Sequence, residues 1–168
     1  MNDVIPPPQA ALTIPRNDEA RRRIVHLEQE MREYNAANGL EEPDMPLFHA
    51  FAPGAYARTI FIPKGTLVVG KIHKHAHLNI LIRGTVSVAT EEGPIVLQAP
   101  RVMTSKAGTK RVVYTHEHTL WTTIHLTDKT NLDEIESEII APSYDDYDAL
   151  QDRDVLQLLP LAEQKEQL

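Results

Sequence analysis

The sequence contains no cysteine. That excludes disulfide staples, thiolate metal sites and thiol catalysis, and it fits a reducing cytosol. Serine is scarce and no G-x-S-x-G occurs, so there is no nucleophile elbow. No glycine-rich loop precedes a helix, which disfavours a nucleotide-hydrolysing fold. No apolar run approaches the roughly 18–20 residues of a membrane-spanning helix, so no membrane is expected as a partner. The opening MNDVIPPPQAALTIP has neither a basic segment nor a continuous apolar one, so no signal peptide is expected. A cytoplasmic protein is the resulting expectation.

What remains is enough for a core. The 168 residues fit one domain with terminal extensions, and 42% hydrophobic and 24% charged residues are ordinary for a globular chain. The net charge of −7 is unevenly spread: −4 over residues 1–55, +6 over 56–127 and −9 over 128–168. A nucleic-acid binder would be basic overall, and this chain is not. A cationic middle between acidic flanks instead leaves room for a local site that holds a small anion.

Residues 1–16 hold four prolines and no periodicity, and read as an extended arm that is disordered or laid on a neighbouring subunit. Asn17 can cap a helix that runs to Asn38 and stops at Gly39, with Ile24, Leu27, Met31 and Tyr34 as its apolar stripe. Pro43 and Pro46 mark a linker. Short β-rich runs then follow near 47–51, 56–62, 66–73, 76–83, 85–90, 94–98, 101–105, 111–115 and 119–127. Such even spacing predicts an antiparallel sandwich or barrel rather than βαβ units. Beyond 128, NLDEIESEII reads as a short amphipathic helix that ends at Pro142, and the acidic stretch after it as a last helix or tail. The division is 1–46 for arm, helix and linker, 47–127 for the β-domain, and 128–168 for the acidic extension.

The informative segment is GKIHKHAHLNILIRG, residues 70–84. Strand side chains alternate, so His73, His75, His77 and Asn79 share one face. Ile72, Ala76, Leu78, Ile80 and Ile82 share the other, interrupted by Lys74. An imidazole-rich face suits a cavity, and an apolar face needs a cover. Clustered neutral imidazoles bind Zn, Fe, Mn, Ni or Cu ions; the competing reading is a polar interior without metal, where the rings bond to backbone, water or ligand.

This segment resembles the first motif of the cupin superfamily, G-x5-H-x-H-x3,4-E-x6-G. With the closing glycine on Gly84, His73 falls on the second histidine, His77 on the glutamate and Lys71 on the first histidine; His75 falls where many cupins carry another histidine. Residues 106–115 resemble the second motif, P-x-G-x-x-H-x3-N. There Gly108 is kept, while Lys106, Arg111 and Thr115 replace the proline, histidine and asparagine. The resemblance covers about residues 55–127 and implies a single cupin-type antiparallel β-barrel (jelly roll) with flanking helices. The texture is also similar to small cupin-like proteins of tailed bacteriophages, which would place the chain in a host cytoplasm.

His125, at the end of the last strand, is in place to complete a three-histidine site. Two of the motif positions are cationic, Lys71 and Arg111, and neither ligates a metal while protonated. Together with Arg58 they suit a carboxylate or phosphate, unless they pair with Glu91, Glu92 or an acidic flank. Trp121 is a candidate aromatic wall for a ligand, and Asn79 a polar one.

Three functions follow: a metal-assisted oxygenase, isomerase or lyase, or a metal-free epimerase with His73 or His77 as base; a non-catalytic protein that captures a small anion; or an assembly protein. A homodimer or higher homo-oligomer is expected in each.

Overall fold

The computed structural model describes residues 12–163, with side chains as far as Arg153. The first eleven residues of the proline-rich arm lie outside the described residues. Helix α1 spans Asp18–Asn38; the Asn17 side chain accepts from the Ala20 amide, and Gly39 closes the helix at φ 62°. Both ends are therefore where the capping residues predict them. The expected apolar stripe fades along the helix: Ile24 is buried, Leu27 and Met31 are half-buried, and Tyr34 is 63% exposed.

The strands are β1 (Leu47–Ala52), β2 (Ala55–Ile62), β3 (Leu67–Val69), β4 (Ile72–His73), β5 (His77–Arg83), β6 (Thr85–Thr90), β7 (Gly93–Gln98), β8 (Arg101–Ser105), β9 (Val112–Thr115) and β10 (Thr119–Leu126). Helix α2 (Leu132–Ile139), strand β11 (Ile140–Ala141) and helix α3 (Tyr144–Glu163) follow. The chain is mainly β, with antiparallel sheets and three helices. The strands form a five-stranded sheet, β1-β2-β10-β5-β8, a four-stranded sheet, β3-β9-β6-β7, and the ribbon β4-β11.

The core lies between the sheets. Leu81 and Trp121 from the larger sheet meet Val86, Val88, Leu97 and Val113 from the smaller. Burying such side chains contributes about 1.5–3 kcal/mol each. Gly84 lets β5 pass into β6: its φ is 103°, and a Cβ there would lie 2.6 Å from Thr119 Oγ1 and 3.0 Å from the His118 carbonyl oxygen.

Two expected features differ. The predicted strand 66–73 breaks at Gly70, whose amide bonds the Arg111 carbonyl at 2.8 Å. Lys74 and His75 then form a bend, so side-chain alternation does not run unbroken from Ile72 to Ile82. Ile72 is accordingly buried with Ala141, Tyr144 and Tyr147, whereas Leu78 and Ile82 stay nearly half exposed. Alternation holds only within one ladder, and β4 belongs to the ribbon rather than to the β5 sheet.

A buried charge cluster fixes α1 to the rest. Arg21 donates to Glu91 Oε2 at 3.1 Å and to Asp148 at 2.9 Å, and its guanidinium lies 4.4 Å above the Tyr144 ring. Lys110 pairs with Glu28 at 2.8 Å. No helix among the described residues is long and apolar enough to cross a membrane.

Candidate metal and anion site

The larger sheet brings the site together through its register. Thr123 pairs with both Arg58 and Asn79, and Ile124 with Ala57 and Leu78. One step along, His125 faces Tyr56 on β2 and lies beside His77 on β5, ring centroids 4.5 Å apart. His73 arrives from the ribbon. Its residue pairs with Ile140, its carbonyl accepts from the Gly108 amide at 2.7 Å, and Lys74 donates to the Ile139 carbonyl at 2.8 Å. Strand β11 therefore sets His73, and nothing in a two-residue strand announces itself in the sequence.

The result is a triad: one ring nitrogen each of His73, His77 and His125, all within 4.8 Å of one another. His77 Nδ1 lies 3.1 Å from the His75 carbonyl oxygen. A carbonyl only accepts, so Nδ1 carries the proton and the Nε2 lone pair is left available. That Nε2, and His73 Nδ1, are buried without a hydrogen-bond partner among the described residues. A buried polar atom with no partner costs about 1–3 kcal/mol, and both of these lone pairs are free to meet an electron-pair acceptor.

Electrostatics keep the rings neutral. Burial, then the neighbouring His77, His125, Arg111 and Arg58, brings His73 down to about 2. Burial, with His77 and Arg58 next, brings His125 to about 3. Burial lowers His77 to about 4, opposed by its bond to His75 and assisted by Arg111. Neutral imidazole is the form that ligates a metal.

A cavity of about 180 Å³ opens on His73 and His125. Arg58, Lys71, Tyr56, His49 and Glu136 also line it. Arg58 has no ion-pair partner among the described residues, whereas Lys71 is exposed and bonded to Glu136. His75 stands outside the triad, exposed on the bend, and contributes its carbonyl rather than its ring. Asn79 is fully buried and lines neither this cavity nor the one beside Arg111; its Oδ1 accepts from Trp121 Nε1 at 2.7 Å and its Nδ2 donates to Ser105 at 2.8 Å. Trp121 lies in the core beneath Arg111, whose guanidinium is 5.5 Å from the ring centre. Arg111 itself lines a different and larger cavity. Glu91 and Glu92 pair with Arg21 and Lys106 rather than with Arg58 or Arg111.

Three participants are absent from the sequence reading. His49 bonds the Tyr56 hydroxyl at 2.7 Å beside the triad. Tyr56 follows from the β1–β2 register, which a hairpin prediction contains. Glu136 brings a carboxylate to the cavity lining, and only the docking of α2 places it there.

No protein-family model matches this sequence, and no curated protein does. Among solved structures the chain is similar to a cupin superfamily protein of Desulfitobacterium hafniense, at 15% identity and TM-score 0.45 over 52% of this chain and 82% of that one. It is also similar to a cupin-2 domain protein of Shewanella frigidimarina, at 16% identity and TM-score 0.42 over 56% of this chain and 92% of that one. A third is ectoine synthase from P. lautus, at 10% identity and TM-score 0.47 over 59% and 75%. These likenesses concern strand arrangement; the chemistry rests on this chain's own side chains.

Proposed function

We propose that this protein binds a divalent transition metal at His73, His77 and His125, together with a small anion that Arg58 and Lys71 help to hold in the 180 Å³ cavity. The carrying observation is the pair of orphaned ring nitrogens, His73 Nδ1 and His77 Nε2, buried in a triad whose ring nitrogens lie within 4.8 Å of one another. An all-imidazole donor set suits Zn, Fe, Mn or Ni. A bound ion would act as a Lewis acid and acidify a coordinated water.

The charge balance favours metal and anion together. The triad supplies no negative charge, and Arg58 and Arg111 are close enough to depress the imidazoles. A dication alone therefore meets repulsion, which an accompanying anion offsets. A general-base role suits the rings less well: groups held at about 4 or below are weak bases near neutral pH.

The test is elemental analysis of protein purified without chelator, beside His73→Ala/His77→Ala. Near-stoichiometric transition metal that disappears in the variant supports the site. Metal-free wild type would leave the second reading, an anion-capturing protein, which the unpaired Arg58 favours on its own.

We also infer a homodimer. On the outer face of the five-stranded sheet, the register lines up Phe48, Thr59, Thr122, Ile80 and Val102 in one row, and Ala50, Ala57, Ile124, Leu78 and Thr104 in the next. Neither row contains a charge. In a chain of net charge −7, such a face complements a second copy of itself better than any charged partner.

A further inference from the structure

The larger cavity, of about 420 Å³, shares no lining residue with the histidine cavity. Val88, Leu97 and Met103 give it apolar walls, the exposed Arg101 also lines it, and Arg111 enters it from the residue before β9. Ile14, which is 4% exposed, forms part of the wall from outside the sheets. That segment is held in place by two backbone bonds, Ile14 N to the Ala107 carbonyl at 2.9 Å and Ala107 N to the Leu12 carbonyl at 2.6 Å.

Arg111 is the anomaly. Its parity with Val113 turns it inward, and its guanidinium lies over the Trp121 ring. Among the described residues it has neither an ion pair nor a hydrogen-bond partner. Burial alone lowers its pKa to about 10, so it still carries its charge at neutral pH. Arg111 is half-buried, and its five donors in a fixed fork have no protein acceptor; a planar carboxylate is the acceptor that matches them. Lys106 in the same lining is paired with Glu92 and Arg101 is exposed, so Arg111 is the one inward fork without a partner, which suits a single negative charge better than a phosphate dianion.

We propose that this cavity is a second ligand site, which takes an amphipathic monocarboxylate: carboxylate on Arg111, aliphatic body against Val88, Leu97 and Met103, enclosed on one side by Ile14. It requires no metal and is separate from the triad.

Trp121 is the only tryptophan in the sequence, so its fluorescence reports on Arg111 directly. The probe is octanoate, titrated into the full chain with and without chelator, with 1-octanol as the uncharged control. The expected result is a saturable change in Trp121 emission with octanoate, unaffected by chelator, and little with octanol. Arg111→Met should weaken octanoate binding by at least about tenfold. Thr90→Trp, read by calorimetry because it adds an indole, keeps Arg111 but fills the cavity, and should abolish binding. No saturable response in wild type, an equal response to octanol, or unchanged affinity in folded Arg111→Met would each overturn the proposal. Loss of the triad's metal in separate elemental analysis would leave it standing.

Discussion

The rings of His73 and His125 lie nearly parallel, with planes 3° apart and centroids 5.2 Å apart, although one comes from a two-residue strand and the other from the end of the last long one. Two charged imidazoles would not tolerate that stacking in a buried site; two neutral ones do. His77 is tilted by 32° to His73 and 31° to His125, with its ring centre 4.2 and 4.5 Å from theirs.

That geometry separates ligands from bystanders. Losing a group that only supports a metal ligand costs about 10–100-fold in affinity. His125→Ala removes a ring of the triad and should exceed that loss. His75→Ala keeps the carbonyl that holds His77 Nδ1, and should stay within about threefold. Competition with a chromogenic chelator measures both. Equal losses in the two variants would place the site elsewhere.

A second consequence is a pH-dependent stability. In the unfolded chain each histidine titrates near ~6.5, whereas in the fold the three are held at about 2, 3 and 4. Below the unfolded value, protons bind the unfolded state alone. Stability therefore falls as pH drops through that window, and the loss levels off only near the folded values. One unit below ~6.5, each ring costs about 1.4 kcal/mol, or about 4 for the three. Thermal melts of chelator-treated protein from neutral pH down to 5 should show the decline, with a shallower slope in His73→Phe. Identical slopes in the two proteins would mean the rings are not held neutral.

The charge cluster that anchors α1 is a different kind of support. The Glu91 side chain is 0% exposed, and its Oε2 accepts from both Arg21 and the Asn17 amide. Glu91→Gln leaves Arg21 buried with Asp148 as its sole countercharge. The expected loss is about 2–4 kcal/mol in urea unfolding. Arg32→Ala breaks a pair in which the arginine is 75% exposed, and should change stability by no more than ~0.5 kcal/mol. If both variants behaved alike, burial would not be what gives the cluster its strength.

Much of this architecture is legible in the residues. Asn17 and Gly39 bound α1 because capping is local chemistry, and Gly84, which closes the segment 70–84, sits in left-handed backbone. His73, His77 and His125 are also readable, since spacing and strand ends single them out. What escapes is everything set by docking. The position of β11, which orients His73, depends on a ribbon too short to have a period. Glu136 reaches the cavity only because α2 packs there. Strand parity also credited His75 with an inward ring, because the bend at Lys74 is invisible to a rule of alternation.

The outer sheet face yields the last prediction. Val102 is 68% exposed and Leu78 47%, in adjacent rows that carry no charge. In a two-fold dimer every substitution appears on both sides of the interface, so one new carboxylate introduces a pair of like charges into an apolar contact. Leu78→Glu and Val102→Glu should each shift sedimentation from dimer to monomer at micromolar concentration, while circular dichroism stays unchanged, because both side chains already lie outside the core. A monomeric wild type would remove the dimer. A wild type heavier than a dimer, dissociated by the same substitutions, would mean that the face continues into a larger assembly, which a closed two-fold contact forbids.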